Sequence, residues 1–184
     1  MTMIEIRFSG YGGQGIIKCG YIVGKAASLF DNRHATMTQS FGPEARGSAC
    51  SSQLIVSEDK ILYPYITKPK ILVAMSREAY EKFEPELDEK GILIVDEDLV
   101  KPKPPRAEIK NFAIPSMRFA EELGNKIVAN IVMLGFFTAV TGVVSYEAMK
   151  NAIPGSVPEK AVPLNIEAFE KGYEYGKKII DERR

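Results

Sequence analysis

Ile4-Glu-Ile-Arg-Phe-Ser-Gly10-Tyr-Gly-Gly-Gln-Gly15-Ile-Ile-Lys-Cys-Gly20 is the stretch that decides how the rest of the chain is read. Ile4, Ile6 and Phe8 alternate with Glu5 and Arg7, the period-two pattern of a strand. A glycine cluster follows at once, and from Ile16 the apolar period turns helical, with Ile16, Gly20, Val23 and Ala27 on one face. Gly20, Gly24 and Ser28 recur at intervals of four; such poor helix formers are explained by a helix lying close against a sheet. Strand, tight turn and helix in that order open an α/β fold.

Working outward, residues 34–39 and 49–56 read as strands, with a small strand at 60–63. Residues 70–75 and 91–95 are near-continuous apolar runs, as expected of parallel strands covered on both faces, and Ser76 is placed to cap the helix between them. Lys101-Pro-Lys-Pro-Pro-Arg106 is a stiff extended connection, readable as a solvated loop or as a docking patch for an acidic protein. Residues 127–144 carry no charge. A core helix, a helix partly covered by another subunit and a membrane span all fit that run, although Asn130, Thr138 and Thr141 interrupt it and Ser145 reads as the cap of a new helix. The last helix, from Pro163 to about Arg183, sets Ile166, Phe169, Tyr173 and Ile180 on one stripe, beside a strip of Ala168, Gly172 and Gly176 suited to close approach. The expected fold class is α/β, one domain over residues 1–184. It is a three-layer α/β/α arrangement around a mixed, largely parallel sheet with a Rossmann-like first half.

The chain has 184 residues, 45% hydrophobic and 26% charged, an ordinary globular composition able to bury one sizeable core. Lys+Arg 24 against Asp+Glu 24 leaves no net charge, which argues against nucleic-acid binding and offers little repulsion between copies of the chain. Two cysteines, Cys19 and Cys50, cannot supply the four thiolates of a cubane iron–sulfur cluster, and one histidine, His34, cannot complete a structural zinc site. Glu5 stands where the apolar core of a signal peptide would run, so a cytoplasmic protein with reduced thiols and no membrane attachment is expected.

Gly10-Tyr-Gly12-Gly13-Gln14-Gly15 satisfies G-x-G-x-x-G between a strand and a helix. Glycines let the backbone approach a ligand, and the free N–H groups of the helix start attract an anion. In a dinucleotide site an acid should close the second strand; here that strand runs into Gln39-Ser40, and Asp31 precedes it. A dinucleotide, another phosphate or anion, and a tight turn packed on a partner are three readings of this loop. Gln39-Ser40-Phe-Gly42-Pro-Glu44-Ala-Arg46-Gly47-Ser48 is the second unusual stretch. Arg46 has the planar fork that suits carboxylate or phosphate, and Glu44 is its short-range partner in the alternative reading of an ordered surface turn. Asp96-Glu-Asp98 reads either as a solvated strand end or as a divalent-metal site. No G-x-S-x-G, Walker lysine or H-E-x-x-H occurs, so no catalytic constellation is self-sufficient here.

The two loops together, Gly10–Gly15 and Ser40-Phe-Gly-Pro-Glu-Ala-Arg-Gly47, resemble the gamma subunit of 2-oxoacid:ferredoxin oxidoreductases. Lys126, Asn130, Leu134-Gly135, Val143-Val-Ser145, Ala152-Ile-Pro154, Asn165, Ala168-Phe169 and Gly172 resemble its C-terminal pattern in matching order. Ser48 departs from the glycine that many members carry there. The resemblance implies a non-catalytic subunit supporting CoA-dependent oxidative decarboxylation of a 2-oxo acid to acyl-CoA and CO2, with electrons passed to ferredoxin. Thiamine diphosphate with Mg2+ and [4Fe-4S] clusters would then belong to alpha, beta and, where present, delta partners. The compact length and Pro43-Glu-Ala-Arg-Gly47 lean toward the 2-oxoglutarate type over the pyruvate or branched-chain types. The site residues it implies are Gly10, Gly12, Gly13, Gln14, Gly15, Ser40, Gly42, Glu44, Arg46 and Gly47, contacting CoA phosphates or bracing the subunits that hold thiamine diphosphate. The rival from another class is a stand-alone nucleotide- or anion-binding regulatory module.

Overall fold

The computed structural model describes residues 3–41, 49–104 and 108–183. Six strands form one sheet in the order β2-β3-β1-β4-β5-β6: β1 Ile4–Tyr11, β2 His34–Ser40, β3 Ala49–Ser57, β4 Ile71–Ala74, β5 Ile92–Asp96 and β6 Lys110–Ile114. β1, β4, β5 and β6 are parallel neighbours, and β3 runs antiparallel to both β1 and β2. The sheet is therefore mixed and largely parallel, as the apolar runs at 70–75 and 91–95 led one to expect. β6 has no such run, so the apolar pattern does not mark it.

Helices cover both faces. α1 Ile16–Lys25 continues through a π-turn, Ala26–Phe30, and packs on one face with α3 Ser116–Glu122, α4 Ala129–Thr141, α5 Tyr146–Ala152 and α6 Val162–Glu182. Ile6, Phe8, Leu54, Val73, Ile94 and Phe112 form the floor of that core. The opposite face holds a smaller core in which α2 Arg77–Phe83 packs Ala79, Tyr80 and Phe83 on Leu72, Ala74, Leu93 and Val95. Ser76 and Ser145 cap α2 and α5 by accepting from the amides of Ala79 and Ala148, as their positions suggest.

Residues 127–144 become a core helix rather than a membrane span: α4 buries Ala129 through Thr138, and no helix among the described residues is long and apolar enough to cross a membrane. It crosses α6 at glycines. A methyl group on Gly172 would stand 1.9 Å from the Val132 carbonyl oxygen, and one on Gly135 would stand 2.0 Å from that of Phe169. The small-residue strip is thus the contact surface, while Ile166, Tyr173 and Ile180 beside it stay half-buried. The same device seats α1: a methyl on Gly20 would meet Ser52 Oγ at 2.5 Å, and one on Gly24 would meet Leu54 at 3.2 Å.

Two local expectations change. Residues 60–63 form no strand; Leu62 and Tyr63 are exposed in a connection whose Thr67 and Lys68 amides donate to the buried Glu5 carboxylate. Asp96 is not a solvated strand end. It is fully buried, accepting from the Ser116 hydroxyl and from the amides of Met117 and Asp98, while the neighbouring Glu97 and Asp98 pair with Arg118.

Candidate functional site

β1 runs on past Phe8 to Tyr11, so Gly10 lies within the strand, and the turn itself is Gly12 to Gly15. Gly13 has φ +100, and Gly15, at the N-cap of α1, has φ +74 and ψ 24, left-handed values that a side chain resists. A methyl on Gly10 would meet Gln14 Oε1 at 2.4 Å. That contact exposes the role of Gln14. Its Oε1 accepts from the Tyr11 amide at 2.7 Å and its Nε2 donates to the Met75 carbonyl at 2.9 Å. The side chain bridges the C-terminal ends of β1 and β4. There the helix after β1 turns to one face and the helix after β4 to the other, which is where open α/β sheets form a dinucleotide crevice. Here Gln14 bridges the two strand ends, and no acid closes β2 to hold a ribose.

The open space lies on the other side of the turn. A cleft of about 690 Å³ runs from the glycine turn to the end of β2, lined among others by Gly13, Ile17, Lys18, Met37, Gln39 and Cys50. The amides of Ile16, Ile17 and Lys18 have no carbonyl partner within the helix, since the first such bond is Cys19 N–H to the Gly15 carbonyl at 3.0 Å. The first turn carries no acid, and Lys18 is exposed beside it. Amide donors, the positive helix end and an ammonium over an apolar floor of Met37 and Ile16 suit an anion carried on an apolar or aromatic body.

Behind the turn stands Asn130, buried in the first turn of α4. Its Nδ2 donates to the Gly15 carbonyl at 3.4 Å, and a methyl on Gly15 would lie 2.3 Å from that nitrogen. In the sequence Asn130 is legible as a polar interruption of an uncharged run, itself the mark of a buried partner, and as part of the family's C-terminal pattern. Cys19 is fully buried beside it, and desolvation pushes its thiol up to about 12; burial also raises Cys50. Neither sulfur is an activated thiolate. The described residues hold no group of three His, Cys, Asp or Glu side chains able to bind a metal ion. This donor set fits neither an iron–sulfur cluster nor a metal-bound diphosphate.

Of the residues singled out from sequence, Gly12, Gly13, Gln14 and Gly15 form one turn, and Gly10 stands beside it at the end of β1. Ser40 is exposed at the end of β2, in register with Ser51, which is in turn in register with Ser9; at about 4.8 Å per strand this sets it about 10 Å from the top of β1. Gly42, Glu44, Arg46 and Gly47 lie outside the described residues.

The fold and the site together define a mixed α/β domain with a stapled glycine turn and a helix start suited to an anion. Residues 5–175 match the family model for pyruvate ferredoxin/flavodoxin oxidoreductase, and the chain belongs to that family. It is 49% identical to the 2-oxoglutarate synthase subunit KorC of Methanocaldococcus jannaschii, covering 95% of each chain. The structure of the gamma subunit of the keto/oxoacid ferredoxin oxidoreductase from Geobacter sulfurreducens aligns with a TM-score of 0.83 at 43% identity, over 94% of this chain and 98% of that one. A 2-oxoglutarate:ferredoxin oxidoreductase from Magnetococcus marinus shares the fold with a TM-score of 0.85 at 24% identity; 97% of this chain matches 32% of that longer one.

Proposed function

We propose that this chain, a single gamma-type domain over residues 1–184, is the non-catalytic gamma subunit of a 2-oxoglutarate:ferredoxin oxidoreductase. The observation that carries the reading is the end-to-end match to 2-oxoglutarate synthase subunit KorC over 95% of both chains. The reaction converts a 2-oxo acid and CoA to acyl-CoA, CO2, a proton and two electrons, and the electrons leave for ferredoxin. When bound in the complex, thiamine diphosphate with Mg2+ supplies the decarboxylation chemistry and [4Fe-4S] clusters carry the electrons. Alpha, beta and, where present, delta subunits hold these groups; the two cysteines of this chain are buried, and its described residues bring no three His, Cys, Asp or Glu side chains together to bind a metal ion. The assembly is cytoplasmic.

Within the complex the chain offers its cleft to CoA. The first-turn amides of α1 and Lys18 take a phosphate, Met37 and Ile16 take the apolar contact, and Gln14 and Asn130 hold the turn rigid. Ser40, Gly42, Glu44, Arg46 and Gly47 serve the same contact, with Arg46 taking an anion or carboxylate. Lys18→Ala in the assembled complex is expected to raise KM for CoA about tenfold, as for losing one charge-assisted hydrogen bond, and to leave KM for 2-oxoglutarate unchanged. An unchanged KM for CoA ends the role of the cleft. Arg46→Ala with unaltered assembly and unaltered CoA dependence ends the role of Arg46.

A further inference from the structure

The two edges of the sheet are built differently. β6 is five residues long, opens on Lys110 and is closed by Pro115, which limits pairing with another strand. β2, at the other edge, is seven residues long, and His34-Ala-Thr-Met-Thr-Gln-Ser40 contains no lysine, arginine, acid or proline. Beside it the exposed Tyr21 and Leu29 border a groove of about 280 Å³ between α1 and β2, floored by Gly20, Gly24, Ala35 and Met37.

We infer that β2 pairs antiparallel with β2 of a second copy about a two-fold axis through Met37, joining two six-stranded sheets into one. The strand is self-complementary in this register. Thr36 faces Thr38, Ala35 faces Gln39 and His34 faces Ser40, with no like charges opposed and Met37 meeting its own copy. Each pair keeps its face, so Ala35, Met37 and Gln39 stay on the helix side in both copies. Met37, Tyr21 and Leu29 of each copy then close over the other's groove. About six backbone hydrogen bonds would form across a seven-residue antiparallel pair. A formal net charge of zero sets no long-range repulsion against association. The inference is independent of the oxidoreductase reading, because it rests on the edge strand alone.

Sedimentation of the full chain at micromolar concentration tests it. Wild type is expected at twice 20.4 kDa. Thr36→Lys/Thr38→Lys, which opposes lysines across the axis, is expected at the monomer mass, and Thr36→Glu/Thr38→Lys, which opposes unlike charges, is expected to restore the dimer. Hydrogen exchange at the β2 amides of wild type should slow as concentration rises. A monomeric wild type, a lysine variant that still dimerises, or a charge-swapped variant as monomeric as the lysine one overturns the inference. So does protection of β2 that arises only when the other oxidoreductase subunits are added, since that would assign the edge to them.

Discussion

Glycines serve two regions of this molecule for opposite reasons. Where α4 crosses α6, Gly135 and Gly172 sit in ordinary helix and are needed for what lies outside them: a carbonyl oxygen stands about 2 Å from where each methyl would be. In the turn between β1 and α1, Gly13 and Gly15 are needed for their own backbone, which is left-handed; nothing lies within 4 Å of a methyl at Gly13. One set closes a core, and the other aims a helix start. A core glycine tolerates no addition because packed interiors barely yield, whereas a turn glycine exacts first the strain of its conformation, alone at Gly13 and with a contact to Asn130 at Gly15.

Substitution separates the two. Gly172→Ala is expected to cost about 4 kcal/mol or to prevent folding, since two backbones must part. Chemical denaturation of the isolated chain measures it, and a loss below about 1 kcal/mol would mean that the crossing is looser than described. Gly15→Ala combines left-handed strain with a clash on Asn130 Nδ2 and is expected to cost about 3 kcal/mol. Gly13→Ala, with strain alone, is expected to cost about 1.5 kcal/mol. Equal losses at 13 and 15 would remove Asn130 from the account of the turn.

The smallest expected effect is one of pH. The Cys19 thiol, which burial pushes up from its ordinary 9.0 to about 12, stays protonated in the core while the unfolded chain ionises. Its contribution is complete below pH 9 and is lost as pH climbs toward 12, at about 1.4 kcal/mol per pH unit. Wild type should therefore lose stability more steeply than Cys19→Ala between pH 9 and pH 10. Parallel profiles would contradict that burial.

Periodicity made much of this fold legible. The switch from period two to helical spacing at Ile16 located β1 and α1, and the apolar runs located β4 and β5. β6 escaped because Lys110-Asn-Phe-Ala-Ile114 is short and its face is shared with Arg183, whose guanidinium lies over the Phe112 ring. Residues 60–63 imitated a strand because Ile61, Leu62 and Tyr63 are apolar, yet they make no ladder. At the site, the glycines were visible as letters, but the bridge made by Gln14 was not. A side chain that reaches Met75, 61 positions away, leaves no local pattern. Asn130 lies 115 positions from Gly15, and neither its place in an apolar run nor its place in the family pattern points to that partner.

The most direct measurement is reconstitution under anaerobic conditions, with this chain supplied or withheld, following 2-oxoglutarate-dependent reduction of ferredoxin as CoA is varied. The account expects CoA-dependent turnover from the complete assembly, its loss when this chain is left out, and none from the chain by itself. Full turnover without it, or ketoacid oxidation by the purified chain unaided, would contradict the account.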